Sequence, residues 1–77
     1  MIDGPYIESL HFDPGRDLMV VVLNTKDILF KTLSEYSKLK CAGISQLGRY
    51  CLIGGGTGVH WPDLDEDLGL KGLLQNL

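Results

Sequence analysis

A glycine-rich run, residues 54–58, is the first segment whose residue types could carry chemistry. Backbone amides in such runs can hold phosphate. A phosphate-binding P-loop, however, continues into a Lys-Ser/Thr pair and a helix, whereas Gly58 leads into Val59-His60-Trp61, which has the character of a strand. We therefore interpret the loop from Gly54 to Gly58 as a hairpin connection.

Four carboxylates form an acidic cluster immediately after Trp61-Pro62: Asp63, Asp65, Glu66 and Asp67. Ca²⁺ and Mg²⁺ take oxygen ligands, but the spacing lacks the glycine and distal glutamate of an EF-hand. Because apolar residues follow from Leu68, the pattern favours a cap at the positive end of a helix dipole. A basic partner could also dock on this negative surface.

Two histidines and two cysteines are the remaining residues that zinc or nucleophilic chemistry would use: His11, His60, Cys41 and Cys51. None has Cys-x-x-Cys or His-x-x-x-His spacing. No third orienting group or oxyanion hole is visible beside them. We predict no catalytic residue, no metal and no cofactor, and we interpret both cysteines as small core residues.

The 77-residue chain is 44% hydrophobic and 22% charged, with a formal net charge of −3. Its seven Lys and Arg residues are scattered, which argues against direct nucleic-acid binding because phosphate recognition needs a basic face. The longest apolar run, Leu18–Leu23, is too short to span a bilayer. The N-terminus lacks the features of a signal peptide. These features predict a cytoplasmic protein with reduced thiols and no membrane contact.

Three β-type runs and one helical run must position these groups. Residues 6–12, 18–23 and 28–30 are joined by short turns, which predicts an antiparallel meander. Leu18–Leu23 is apolar at every position, which predicts a strand covered on both faces. Thr32 and Glu35 have capping-box spacing, and the apolar pattern that follows predicts one helix ending near Lys40. Ser45 could cap a further single turn.

Residues 50–53 and 59–61 predict two more strands around the glycine loop, and a C-terminal helix is expected after the acidic cluster. The fold class is therefore α+β. We expect a single domain over residues 1–77, with a small, mainly antiparallel sheet of four to five strands and helices on one face.

The C-terminal pattern resembles the signature of a bacterial family of small α+β proteins catalogued as domain of unknown function 2442. It comprises Trp61-Pro62, then Leu64-Asp65-Glu66-Asp67, then Gly72-Leu73-Leu74. Residues 36–42 are similar to that family's aromatic-x-x-Leu-x-x-Ala helix, although Ser37-Lys38 replaces a frequent Pro-Arg pair. The resemblance implies a compact α+β domain without known catalytic residues. It also implies a gene arrangement like that of toxin–antitoxin pairs.

The leading hypothesis is a small non-enzymatic interaction module, the antitoxin-like or regulatory half of a two-protein system. The alternative is a small enzyme, or a metal- or phosphate-binding protein, that uses the loop from Gly54 to Gly58 and the cluster from Asp63 to Asp67. Trp61 could anchor either the core or a partner. The C-terminal helix has an apolar face that is wider than a small sheet can cover. We predict contacts with another protein or a second copy through Trp61, Asp65, Glu66, Asp67, Leu70, Leu73 and Leu77.

Overall fold

The computed structural model describes residues 5–75, which form two three-stranded antiparallel sheets and three short helices. The first sheet contains β1 (Ile7–Asp13), β2 (Leu18–Leu23) and β3 (Ile28–Thr32). The second contains β4 (Cys51–Ile53), β5 (Gly58–Trp61) and β6 (Glu66–Gly69). The helices are α1 (Ser37–Lys40), α2 (Ile44–Leu47) and α3 (Leu70–Leu74), with 3-10 turns at Pro14–Arg16 and Leu33–Glu35.

The α+β class is confirmed, but the single sheet of four to five strands is not. Each sheet is a meander of consecutive strands, with spatial order β1-β2-β3 in one and β4-β5-β6 in the other. A 3-10 turn and two helices separate β3 from β4, and β4 pairs with its nearest neighbour in sequence, β5. The sheets meet where the Ile7 N–H donates to the Gly56 carbonyl at 2.8 Å.

The first sheet is covered on one face only. Met19, Val21 and Leu23 of β2 are buried, whereas Val20 and Val22 on the opposite face are half-exposed. The prediction that β2 is covered on both faces is therefore wrong, although its bounds and its central position were predicted correctly. Among the residues described, nothing in the second sheet or the helices buries the other face.

The core fills the space between the inner faces of the two sheets. Its fully buried side chains come from both sheets and from all three helices: Trp61, Met19, Leu39, Leu47, Leu73, Val21 and Val59. Phe12 packs edge-to-face on Tyr50 and Trp61, with ring centroids 6.0 and 6.3 Å apart. Such contacts add about 0.5–1.5 kcal/mol each beyond burial of the ring surface.

The helix expected from Thr32 to Lys40 is interrupted. Tyr36 has extended backbone angles, φ −118° and ψ 106°, between the 3-10 turn and α1. The Thr32 side chain accepts no capping hydrogen bond. Instead the Asp17 carboxylate accepts bonds from the Ser34 N–H at 2.8 Å and from the Ser34 hydroxyl at 2.6 Å. The next helix begins at Ile44, where the Gln46 Oε1 accepts from the Gly43 N–H at 3.1 Å.

The acidic cluster does not cap the C-terminal helix, so that prediction is wrong. Residues 62–65 form a turn, and Glu66–Gly69 pairs with β5 from Glu66 opposite Trp61 to Gly69 opposite Gly58. Asp65 adopts a φ of 52° in this turn, a conformation that aspartate tolerates better than most residues. Helix α3 then starts at Leu70.

Candidate interaction surface

The outer face of the first sheet is the face that points away from the core. The strand registers place these side chains on it: Ser9, His11, Asp13, Leu18, Val20, Val22, Ile28, Phe30 and Thr32. Val20 lies opposite Phe30, and Val22 lies opposite Ile28. We call these four side chains the apolar stripe.

The side chains of the apolar stripe are unusually exposed for hydrophobic residues. Phe30 is 68% exposed and Ile28 is 50% exposed. The solvent-facing side of an antiparallel sheet normally alternates polar residues with the buried ones. A contiguous apolar patch in that place is typical of a surface that binds something.

Strand β3 lies at the edge of its sheet, with β2 as its only neighbour among residues 5–75. The hairpin turn fixes which backbone groups face β2, because the Leu23 N–H donates to the Asp27 carbonyl at 3.0 Å. Hydrogen-bonded pairs alternate along an antiparallel ladder. Leu29 and Lys31 therefore bond to β2, and the N–H and C=O groups of Ile28 and Phe30 point away from it. An apolar edge of this kind is a template for pairing with another strand.

The C-terminal apolar residues occupy the core instead of a surface. Trp61 is 0% exposed, and Leu70 and Leu73 are also buried. The prediction that these three side chains contact a partner is therefore wrong, because the two sheets and α3 use them to close the core. Leu77 lies outside the described residues.

The acidic residues are at the surface or half-buried, each with different neighbours. Asp63 pairs with Arg49, with 3.2 Å between its Oδ2 and the Arg49 Nε. The Asp65 main-chain carbonyl accepts from the Lys38 Nζ at 2.8 Å. Asp67 bonds to a histidine on β5, and Glu66 is half-buried. Within residues 5–75 no group of three or more His, Cys, Asp and Glu residues has the arrangement of a metal site.

The glycine loop is a packed turn, as expected for a hairpin connection. Gly54, Gly55 and Gly56 all have positive φ. The amides of Gly56 and Thr57 donate to the Ile53 carbonyl at 3.0 and 3.1 Å, so they are already used within the turn. The loop precedes β5 and the acidic turn follows β5, so the two segments lie at opposite ends of that strand.

A row of three residues on the second sheet was not predicted from the sequence. Cys51 lies opposite His60, and His60 lies opposite Asp67, so their side chains share one face. The Asp67 Oδ1 is hydrogen-bonded to the His60 Nδ1. Cys51 and Cys41 are exposed, so their interpretation as core residues is wrong. Only the registers of two hairpins bring these residues together, and spacing along the chain does not show it.

A cleft of about 310 Å³ lies beside this row. It is lined by Glu35, Tyr36, Asp67, Leu68, Gly69, Gly72 and Leu73. Burial raises the pKa of the Tyr36 phenol above its ordinary value, and the Glu35 carboxylate adds to the effect. The shift therefore favours the neutral phenol, which can donate a hydrogen bond.

A second groove, of about 500 Å³, adjoins the β2–β3 hairpin. It is lined by Pro5, Leu23, Thr25, Asp27, Ile28, Leu29 and Leu74. It extends the apolar surface at the start of β3.

A family model described as "Protein of unknown function (DUF2442)" matches residues 7–77. The chain belongs to this family. The resemblance seen in the C-terminal pattern is thereby confirmed, and the match extends through both sheets of this DUF2442 protein. A comparison with curated proteins finds no match.

Two solved structures share the fold. A protein of unknown function from Rhodospirillum rubrum ATCC 11170 is 27% identical, with a TM-score of 0.81, over 97% of this chain and 90% of that one. An uncharacterised protein from Chromobacterium violaceum is 24% identical, with a TM-score of 0.76, over 91% of this chain and 64% of that one. In residues 5–75, none of the helices has the length and apolar character that a membrane span requires.

Proposed function

We propose that this DUF2442 protein is a small non-enzymatic interaction module that binds another protein chain through the outer face of its first sheet. The observation that carries the proposal is Phe30, which is 68% exposed beside Val20 on a sheet with an open edge. The proposed contact surface is therefore the first sheet and not the C-terminal helix, in which Leu70 and Leu73 are buried.

The chemistry of this face supports a protein rather than a nucleic acid as partner. None of its nine side chains is Lys or Arg, and Asp13 adds a negative charge. Phosphate binding depends on Lys and Arg neutralising the backbone. The apolar stripe instead offers hydrophobic burial, which contributes roughly 1.5–3 kcal/mol for each large side chain that becomes fully covered.

The role as the regulatory half of a two-protein system is part of the same proposal. A regulatory protein of this size needs a surface that recognises its partner, and it needs no reaction of its own. The family resemblance supports this role, and the apolar stripe supplies the surface.

Affinity purification tests the proposal. Tagged wild type, Phe30→Glu and the control Ile44→Glu would be used with lysate of the source cell, and captured proteins would be identified and rebound in purified form. Ile44 is 58% exposed on α2, outside the outer face, so it matches the change in polarity. We expect wild type and Ile44→Glu to bind the same purified protein and Phe30→Glu to lose it. Equal binding by folded Phe30→Glu would contradict the proposal.

A second candidate function, thiol chemistry, is favoured by the row of Cys51, His60 and Asp67. Asp67 orients the imidazole through Nδ1, as the third residue of a nucleophilic triad does. Alkylation rates at neutral pH would distinguish the candidates, because Cys41 is an exposed internal reference. An active row predicts faster alkylation of Cys51 than of Cys41, and His60→Ala should remove the difference. Equal rates in wild type would exclude this candidate.

A further inference from the structure

We infer that the chain bound at the open edge of β3 is a second copy of this protein, paired antiparallel with β3 about a two-fold axis at Leu29. This inference rests on the proposed function, because it uses the same edge and the same apolar stripe. It adds the identity of the partner and the register of the contact.

The backbone of β3 has the alternation that this register requires. The N–H and C=O groups of Ile28 and Phe30 point away from β2, as the hairpin hydrogen bond at Asp27 dictates. A two-fold axis at Leu29 sets Ile28 opposite Phe30 of the second copy, and Phe30 opposite Ile28. Each such pair exchanges two N–H···O bonds. The first sheets of the two copies then form one continuous six-stranded sheet.

The side chains on the outer face fit the same register. Ile28 of each copy lies opposite Phe30 of the other, and β-branched–aromatic pairs are favourable cross-strand neighbours. The apolar stripe of one copy becomes continuous with that of the other. Ile28 and Phe30 of each copy thereby gain a cross-strand neighbour on the side away from β2.

The charges on the inner side of β3 select this register. Lys31 is only 7% exposed, but no side-chain nitrogen or oxygen among residues 5–75 is both buried and unpaired, so its ammonium group reaches solvent. No carboxylate within residues 5–75 forms an ion pair with it. A lysine of this kind buries its aliphatic stem and keeps its charged end free to pair with a carboxylate. An axis at Leu29 places Asp27 of the second copy opposite Lys31. The Asp27 carboxylate accepts a bond only from Thr25, at 2.8 Å, among the described residues, and Asp27 is exposed.

The neighbouring register lacks this complementarity. An axis at Phe30 also satisfies the backbone alternation, but it sets Lys31 opposite Leu29 and Ile28 opposite Thr32. Lys31 would then remain without a carboxylate. The two symmetric charge pairs therefore favour the axis at Leu29.

Charge reversal with mixing tests the inference by sedimentation over a concentration series. Asp27→Lys opposes two lysines at each end of the contact, and Lys31→Glu opposes two carboxylates. We expect each variant alone to associate about tenfold or more weakly than wild type. Their equimolar mixture should recover a heterodimer, since every pair is then of opposite sign. The control Lys40→Asp, an exposed change on α1, should associate like wild type.

Cross-linking provides a second readout should Lys31→Glu unfold. In a Cys41→Ser, Cys51→Ser background, Ile28→Cys together with Phe30→Cys should form a disulfide-linked dimer. Directly opposed residues lie within disulfide reach, whereas diagonal neighbours, about 7–8 Å apart, do not. Phe30→Cys alone should therefore stay unlinked. Efficient linking of that single variant would overturn the register.

The outcomes also separate this inference from the proposed function. A wild-type monomer at every concentration overturns the second copy as partner. If a different protein still binds wild type and not Phe30→Glu, the proposed function stands. If Phe30→Glu changes neither association nor capture, both fail.

Discussion

The indole Nε1 of Trp61 donates a buried hydrogen bond of 2.9 Å to the main-chain carbonyl of Leu47. Leu47 is the last residue of α2, and carbonyls at a helix C-terminus have no partner within the helix. Trp61, which lies on the second sheet, therefore both fills the core and caps α2. This dual role explains why the side chain is fully buried although its N–H is polar.

Trp61→Phe should destabilise the protein by about 2–4 kcal/mol. The substitution leaves the Leu47 carbonyl without its donor and creates a cavity. Urea unfolding would measure the loss. Tyr50→Phe is the comparison, because it removes a half-buried hydroxyl that accepts from the Leu10 N–H at 3.1 Å and should cost about 1 kcal/mol. Similar costs for both variants would contradict the role given to the indole.

Gly56→Ala should cost more stability than Gly55→Ala. Both residues have positive φ, 110° and 70°, so each alanine carries backbone strain of about 1–3 kcal/mol. A Cβ at Gly56 would additionally lie 2.8 Å from the Ile7 carbonyl oxygen, whereas a Cβ at Gly55 meets nothing within 4 Å. Thermal unfolding of the two variants compares the costs at the two positions. Equal melting temperatures would show that the Gly56–Ile7 approach is unimportant.

Tyr36 should make stability fall at alkaline pH. Its pKa is raised in the folded state, first by burial and then by the Glu35 carboxylate, so its contribution is complete below the ordinary value of 10.0. Above that value the unfolded chain ionises first, and stability is lost as pH rises through the folded pKa. Urea unfolding at about pH 8 and about pH 11 should show a larger loss for wild type than for Tyr36→Phe. Tyr6→Phe controls for general effects of alkali, and identical losses in all three proteins would contradict the assignment.

Asp17→Ala should destabilise the segment that follows β3. The Asp17 carboxylate accepts two bonds from Ser34, and the carbonyl of Asp17 accepts the Leu33 N–H at 3.1 Å. Asp17 also has a φ of 56°, which alanine adopts less readily. We expect a loss of about 1–2 kcal/mol in urea unfolding, as for the removal of a cap. Ser34→Ala removes only the hydroxyl bond and should cost less; a larger loss than for Asp17→Ala would refute this account.

Local sequence pattern located the strands that carry their own signals. Leu18–Leu23 is β-branched and apolar, and its bounds follow from the polar turns on either side. Glycines at positions 54–56 have the positive φ that a hairpin connection needs. The C-terminal pattern identified the family, because it is carried by residue types in order along the chain. These features depend on neighbours in sequence.

The remaining features depend on contacts between distant segments, so only the tertiary structure decided them. Glu66–Gly69 became a strand because β5 offered a free edge, although its carboxylates suggested a helix cap. The helix predicted after Thr32 is interrupted because the Asp17 carboxylate accepts a hydrogen bond from the Ser34 N–H. Leu70 and Leu73 of α3 became core residues, whereas the outer face of the first sheet remained exposed. The sequence by itself determined the family, the fold class and the first hairpins, whereas tertiary packing decided which apolar residues remained available to a partner.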